Sequence, residues 1–305
     1  MIRPASPLTL PAGEVVSLPD QSVPQAFASG SVVLVGAGPG SADLLTLRAM
    51  QRLSVADVVL YDYLIDPDIL QLAPSGAHRI CVGKRASRHT LPQSDINQLL
   101  IGFARQGLRV VRLKGGDPFM FGRGGEEMHA VLSAGIPCES VPGISAALGA
   151  AASLLMPLTH RDHAQGCCFV TGHRREGQSE LAWTANTGPD ETLVVYMGLG
   201  EVGNIARQLM LHGRAPETPV AVIEQACMPG ERCVCGQLAT LGQIVAEHGL
   251  RTPSLLVIGS VVRLHEELTA LRTALNSSPE FLDSCHSVAR PAPTILRSSF
   301  CEYTT

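Results

Sequence analysis

The sequence predicts an α/β protein, and three observations carry that prediction. Short apolar runs alternate with segments of helical period, the pattern of a mainly parallel sheet. Glycine-rich turns follow two of those runs, Gly36-Ala37-Gly38-Pro39-Gly40 and Gly115-Gly116. A second alternating set runs from Cys167 to Val262, where the closely spaced run Arg232–Leu238 implies antiparallel strands among parallel ones.

Residues 1–30 are rich in Pro, Ser and Ala without periodicity and read as a flexible leader. Order begins with the buried strand Ser31–Val35. Ser41 is placed to cap a helix with Leu44, Leu47 and Met50 towards the core. Asp57–Tyr61 is the second strand. Pro67 suits the first position of a short helix after Asp66, and Arg79–Val82 is the third strand. Thr90 and Pro92 open a helix with Ile96, Leu99, Leu100 and Phe103 on one face, closed by Gly107. Leu108, Val110, Val111 and Leu113 lead a fourth strand into a glycine-rich loop, and a helix follows to about Gly135. The remaining strands are expected at Cys167–Thr171, Thr192–Met197, Pro219–Glu224, Arg232–Leu238 and Ser254–Val262. The predicted domains are 31–141 and 142–276, meeting near Val141-Pro142-Gly143, and 277–305 reads as a disordered tail.

With 305 residues and ample apolar content the chain can bury two cores. A net charge of −4 argues against a nucleic-acid partner. Cations nevertheless cluster locally (Lys84, Arg85, Arg88; Arg109, Arg112, Lys114, Arg123), which points to a small anionic ligand. Nine cysteines without a CxxC pair suggest neither a zinc site nor a disulfide framework. Cys167-Cys168 and Cys233-x-Cys235 read as small hydrophobes in strands. A reduced cytoplasmic setting follows. No signal peptide is evident, and the apolar stretch Ile144–Leu158 is too short for a membrane span.

The richest segment is Arg112–Glu127, RLKGGDPFMFGRGGEE, with three carboxylates and three cations around two glycine pairs. Gly115 and Gly116 allow positive φ and close approach to a ligand. Glu126 and Glu127 suit the first turn of a helix. Such a loop after a strand is where ligands sit in α/β sheets. The GAGPG turn invites a dinucleotide-dependent oxidoreductase as an alternative. Ser41 stands where that motif wants Gly or Ala, however, and Pro39 lacks an N–H for a pyrophosphate.

Taken together, VGAGPGSADLLTLRA (35–49), ADVVLYD (56–62), VGKR (82–85), RLKGGDPFMFGRGGEE (112–127), VPGISAA (141–147), PLTHRDHAQ (157–165), FVTGH (169–173), TLVVYMGL (192–199) and TPVAVIE (218–224) resemble the tetrapyrrole methylase superfamily, in the family's order. The likeness is greatest to its uroporphyrinogen-III C-methyltransferase branch. The resemblance implies two α/β domains with S-adenosylmethionine in the cleft between them, in a homodimer. It implies two successive methylations of uroporphyrinogen III to precorrin-2; a sister methylase of a later corrinoid precursor is the alternative within the family. By motif position Pro39, Gly115, Gly116, Asp117, Met120, Ser145, Ala146, Met197 and Ala226 would line the cofactor site. Arg123, Arg161, Arg85 and Arg112 would hold the substrate's eight carboxylates, which suit guanidinium forks. Asp62 and Lys84 hold the positions the family associates with acid–base work, with Glu126 beside Arg123 as a competing base. His160 and His173 are expected to be structural. Two positions depart from the family's usual pattern: Tyr63 replaces an Arg, and Ala226 replaces a glycine on the cofactor side. The sequence holds no upstream dehydrogenase–chelatase half, which reads as a stand-alone methyltransferase.

Overall fold

The computed structural model describes residues 27–83, 91–172 and 188–277. Most of the expected leader and tail, with Lys84, Arg85, Arg88, Thr90 and His173, lie outside them. Two five-stranded sheets form the frame. The first comprises β1 (Val32–Gly36), β2 (Val58–Tyr61), β3 (His78–Cys81), β4 (Val110–Lys114) and β5 (Cys138–Val141). All its pairings are parallel, in the order β3-β2-β4-β1-β5. β1 and β4 are buried at every position because helices cover both faces of the sheet. One face packs Val33, Val35, Leu53 and Val59, and the other packs Leu34, Leu60, Leu100 and Val131.

Between these strands run α1 (Leu47–Leu53), α2 (Pro67–Leu70), α3 (Gln93–Arg105) and α4 (Gly124–Ser133). Asp66 caps α2 through the Asp68 amide, and Pro67 is its first residue, as its missing N–H permits. Gly107 and Gly135 follow α3 and α4 at φ 81° and 77°. The helix expected from Ser41 is different. Ala42–Leu44 is a single 3-10 turn, the chain extends through Leu45 and Thr46, and Thr46 caps α1 by accepting from the Ala49 amide. That break resets the helical phase. Ala49, Arg52 and Leu53 face inward, whereas Leu47 is 69% exposed and Met50 43%.

The second sheet comprises β6 (Gly166–Thr171), β7 (Glu191–Tyr196), β8 (Pro219–Glu224), β9 (Arg232–Gln237) and β10 (Ser254–Ile258). Its order is β6-β7-β10-β8-β9. β6 and β7 are parallel, while β10 and β9 run antiparallel to their neighbours, the mixture the short β8–β9 spacing implied. The last strand stops at Ile258; Val261 and Val262 instead begin α8 (Val262–Asn276) after Gly259. α6 (Val202–Leu211) and α7 (Leu241–Glu247) cover one face, and α5 (Ala146–Ser153) and α8 the other. No helix of the described residues is long and apolar enough to cross a membrane.

In the first sheet β1 lies between β4 and β5, while the chain leaving β1 crosses to β2 on the far side of β4. The strand order therefore reverses between β1 and β4. Ligand crevices in open α/β sheets form beyond the carboxyl ends of such a pair. GAGPG leaves β1 there, and GGD leaves β4.

Candidate active site

Loops from both sheets converge at this crevice. Gly38 and Gly116 exchange backbone hydrogen bonds, 3.2 Å from the Gly38 amide and 2.7 Å from the Gly116 amide. Such contact needs bare backbone: a Cβ on Gly143 would lie 2.2 Å from the Gly116 carbonyl oxygen, and one on Gly36 2.5 Å from the Gly143 nitrogen. Asp117 ties the loops further, accepting from the Phe119 amide at 2.8 Å and the Gly143 amide at 3.1 Å. The second sheet joins through Tyr196, at the end of β7. Its hydroxyl lies 2.6 Å from Ser145 Oγ and accepts from the Ala147 amide at 3.0 Å. Its ring stands 5.0 Å from that of Phe121 in the loop after β4. The loop after β8 closes the set: a Cβ on Gly149 would fall 2.5 Å from Pro39 and 2.9 Å from Cys227 Sγ.

These loops carry backbone strain. Among the described residues six non-glycine positions adopt φ between 51° and 61°, and five of them (Phe121, Arg123, Met197, Gln225, Cys227) are in the loops after β4, β7 and β8. Each such conformation costs of order 1–3 kcal/mol and persists where packing enforces it, most often at ligand sites. Met197 is half exposed in this conformation. Ala226 sits between the strained Gln225 and Cys227.

Beneath the loop after β4 lies a buried ion network. Arg112 and Lys114 are two residues apart on β4, so both point to the face covered by α3 and α4. Their side chains are each 3% exposed, and that of Glu127, on α4, is fully buried. Glu127 Oε1 accepts from Arg112 Nε at 3.0 Å, Lys114 Nζ at 3.2 Å and Gln93 Nε2 at 3.1 Å. Glu127 Oε2 has no hydrogen-bond partner among the described residues. Asp62 completes the network, with Oδ1 2.5 Å from Arg112 Nη2 and Oδ2 4.0 Å from Lys114 Nζ. Burial, and then the adjacent Arg112 charge, push the Lys114 ammonium below its ordinary range. Burial also opposes the charge on Arg112, but Asp62 and Glu127 outweigh it and hold that group above its usual value.

The expected site residues thus divide by position. Pro39, Gly115, Gly116, Asp117, Met120, Ser145, Ala146, Met197 and Ala226 fall in the loops just described or at the start of α5, and Asp62 sits at the end of β2. Arg112 does not present an open fork: its guanidinium is committed to Asp62, Glu127 and the Leu113 carbonyl. Arg123 and Glu126 are exposed and grip each other bidentately, at 3.0 and 2.7 Å. Arg161 is exposed in the turn bridged by His160 and Ala164. His160 serves that turn, its Nδ1 accepting from the Asp162 amide. Tyr63 is also exposed, beside Asp62.

The sequence singled out Lys114 only as one of a cation cluster and Glu127 only as a first-turn acid, and it gave Gln93 and Tyr196 no role in the site. For the first two a signal was available. Two cations on one face of an otherwise apolar strand require buried counter-charges, and Glu127 opens the next helix. Nothing local marks Gln93 or Tyr196, whose partners Glu127 and Ser145 lie 34 and 51 residues away.

The dinucleotide alternative loses its physical basis. The Ala37 and Gly38 amides are spent on Lys114 and Gly116 carbonyls, and no α-helix begins at the glycine turn. A pyrophosphate would find the first two amides of the turn occupied and no α-helix terminus directly behind it.

Comparison with known proteins agrees with this geometry. The family model for Tetrapyrrole (Corrin/Porphyrin) Methylases matches residues 31–242. A siroheme synthase of Chromobacterium violaceum is 51% identical over 250 residues, 82% of this chain and 53% of that protein. The chain therefore spans about half the length of the curated relatives it matches. Uroporphyrin-III C-methyltransferase from Thermus thermophilus, complexed with S-adenyl homocysteine, is 41% identical with a TM-score of 0.66, over 77% of this chain and 94% of that one. A cobalt precorrin-4 methyltransferase is 26% identical with a TM-score of 0.69, over 76% and 96%.

Proposed function

Because the chain belongs to the tetrapyrrole (corrin/porphyrin) methylases, and is thereby a methyltransferase of tetrapyrrole biosynthesis, we propose the narrower reading that it methylates uroporphyrinogen III twice, giving precorrin-2. The observation that carries this reading is that the glycine loops of one sheet meet the second sheet, through the Tyr196–Ser145 contact, beyond the carboxyl ends of β1 and β4, and that Asp62, a partly exposed, cation-held carboxylate, follows the neighbouring strand β2 at the same edge. The greater identity to the uroporphyrin-III enzyme than to the precorrin-4 enzyme, 41% against 26%, favours the early substrate.

The residues present fit S-adenosylmethionine. Gly115 leaves open space where a Cβ would stand, so a ligand can lie against its backbone. Asp117 retains acceptor capacity for ribose hydroxyls or an ammonium. Met120, Ala146 and Met197 supply apolar and thioether surface. When bound, the cofactor supplies an electrophilic methyl group.

The protein's own task is then alignment and proton handling. Holding the reacting carbon in line is worth up to about 7–11 kcal/mol of barrier in well-oriented cases. Asp62 accepts the proton that leaves the methylated ring. Arg112 fixes its Oδ1, which leaves Oδ2, on the side of Lys114, to receive the proton. Arg112 is thus a positioning residue here. Arg123 and Arg161 take substrate carboxylates; at Arg123 an incoming carboxylate exchanges with Glu126. Lys84 and Arg85 keep the roles the resemblance gave them, as do the homodimer and the cytoplasmic setting.

Anaerobic incubation with uroporphyrinogen III and S-adenosylmethionine, followed by mass and by S-adenosylhomocysteine release, tests the reading. It expects two methyl groups gained per tetrapyrrole and two cofactors spent. Asp62→Asn should slow turnover by about 10²–10⁴-fold while S-adenosylhomocysteine still binds. Binding without methylation of this substrate would move the assignment to a later corrinoid.

A further inference from the structure

A second group of chemistry-bearing side chains takes no part in the site above. Cys233 and Cys235 stand two residues apart on the edge strand β9, opposite Ile223 and Ala221 of β8. Both thiols therefore project to one face, where they pack with the cluster covered by α5 and α8. Their sulfurs are 3.9 Å apart. His265, one turn into α8, brings an imidazole nitrogen to the pair, and the three potential ligand atoms lie within 4.8 Å of one another. All three residues are half-buried. Among the described residues this is the one group of three or more Cys, His, Asp or Glu side chains gathered so closely.

The imidazole is already oriented. Nδ1 donates to the Leu154 carbonyl at the end of α5, so Nε2 is the nitrogen that bond leaves unused. Metal-binding histidines characteristically fix their tautomer through such a second bond.

We propose that Cys233, Cys235 and His265 bind one thiophilic divalent cation of the zinc class. Two sulfurs and one imidazole are a donor set that suits zinc and suits magnesium or calcium poorly. Uptake forms two metal–sulfur bonds and one metal–nitrogen bond and releases the thiol protons to solvent. The two thiolates cancel the ion's charge, so the complex is neutral, as a half-apolar pocket requires. Three protein ligands leave the fourth tetrahedral position to water. The ion would staple edge strand β9 to α8. The sequence alone concealed the site, because His265 lies 30 residues beyond Cys235 on another element.

The test uses the full chain, stripped with a chelator, kept reduced with a phosphine, and titrated with zinc against a chromophoric chelator. One zinc per chain should survive desalting, with release of about two protons at most, and should raise the thermal midpoint. Cys235→Ser and His265→Gln, each checked for native circular dichroism, should weaken binding by at least about 100-fold, since outer partners alone cost about 10–100-fold. Folded wild type that retains no zinc overturns the proposal. So does equal retention by wild type and both variants, which would place the ion on other cysteines. Neither readout depends on methyl transfer, so a failure here is distinguishable from a failure of the proposed function.

Discussion

The Arg112–Asp62–Lys114–Glu127 network holds two positive and two negative groups, three of them almost fully buried. Changing Glu127→Gln keeps the shape and removes one negative charge. At an effective dielectric of about 20 the 3.2 Å Lys114–Glu127 contact is a gross attraction of about 5 kcal/mol, and the 4.0 Å Lys114–Asp62 contact about 4. Desolvation cancels much of each, so the net cost of removing one partner is about 3–5 kcal/mol, the range for a broken buried pair. Lys114→Met should cost a similar amount, because it leaves two carboxylates facing one guanidinium. The double variant restores balance, with Arg112 facing Asp62. It should therefore be less destabilised than the sum of the singles by about 2–3 kcal/mol. Urea unfolding of the four proteins, followed by circular dichroism with the slopes compared, measures that coupling. Additivity to within about 0.5 kcal/mol would refute the reasoning, since it would mean that the two charges do not interact through a low-dielectric site.

Other perturbations probe the crevice and the surface. Gly143→Ala places a methyl 2.2 Å from the Gly116 carbonyl, a clash with backbone that cannot rotate away; a loss of at least about 1–3 kcal/mol is expected in thermal melts. Tyr196→Phe keeps the ring contacts but leaves the Ala147 amide without its acceptor, costing about 1–3 kcal/mol by urea midpoint and weakening S-adenosylhomocysteine by calorimetry. Asp57→Asn tests a surface pair. Arg109 holds the Asp57 carboxyl below its ordinary 3.8 through side-chain and backbone hydrogen bonds. A depressed carboxylate contributes stability above the unfolded pKa and loses it as pH falls through the folded one. The wild-type advantage over Asp57→Asn should therefore be constant from about pH 7 to 5 and close below about pH 4. Both partners are about one-third exposed, so its size is about 1 kcal/mol or less.

Much of the frame was legible in one dimension because burial on both faces of a sheet leaves unbroken apolar runs. Val32–Gly36, Val58–Tyr61 and Val110–Lys114 are such strands. Gly107, Gly135 and Pro67 punctuated the helices for local steric reasons. The segment Ala42–Leu53 was misread because its apolar spacing runs on through an extended break that only the Thr46 cap reveals. The close backbone approach of the glycine loops was legible, since a Cβ on Gly36 or Gly143 would clash with neighbouring backbone and Gly116 stands at φ 65°.

The sequence by itself determined which residues could carry charge, which turns could approach a ligand, and that two sheets would form. Only the tertiary structure decided who meets whom. It turned Arg112 from an expected substrate fork into the buried holder of Asp62, supplied Glu127 as counter-charge, joined Tyr196 to Ser145, and set His265 beside two cysteines. The physical reason is common to all four. Burial raises the cost of an unpaired polar or charged group, and the partner that meets this cost is chosen by proximity in the fold, at separations that no local pattern encodes.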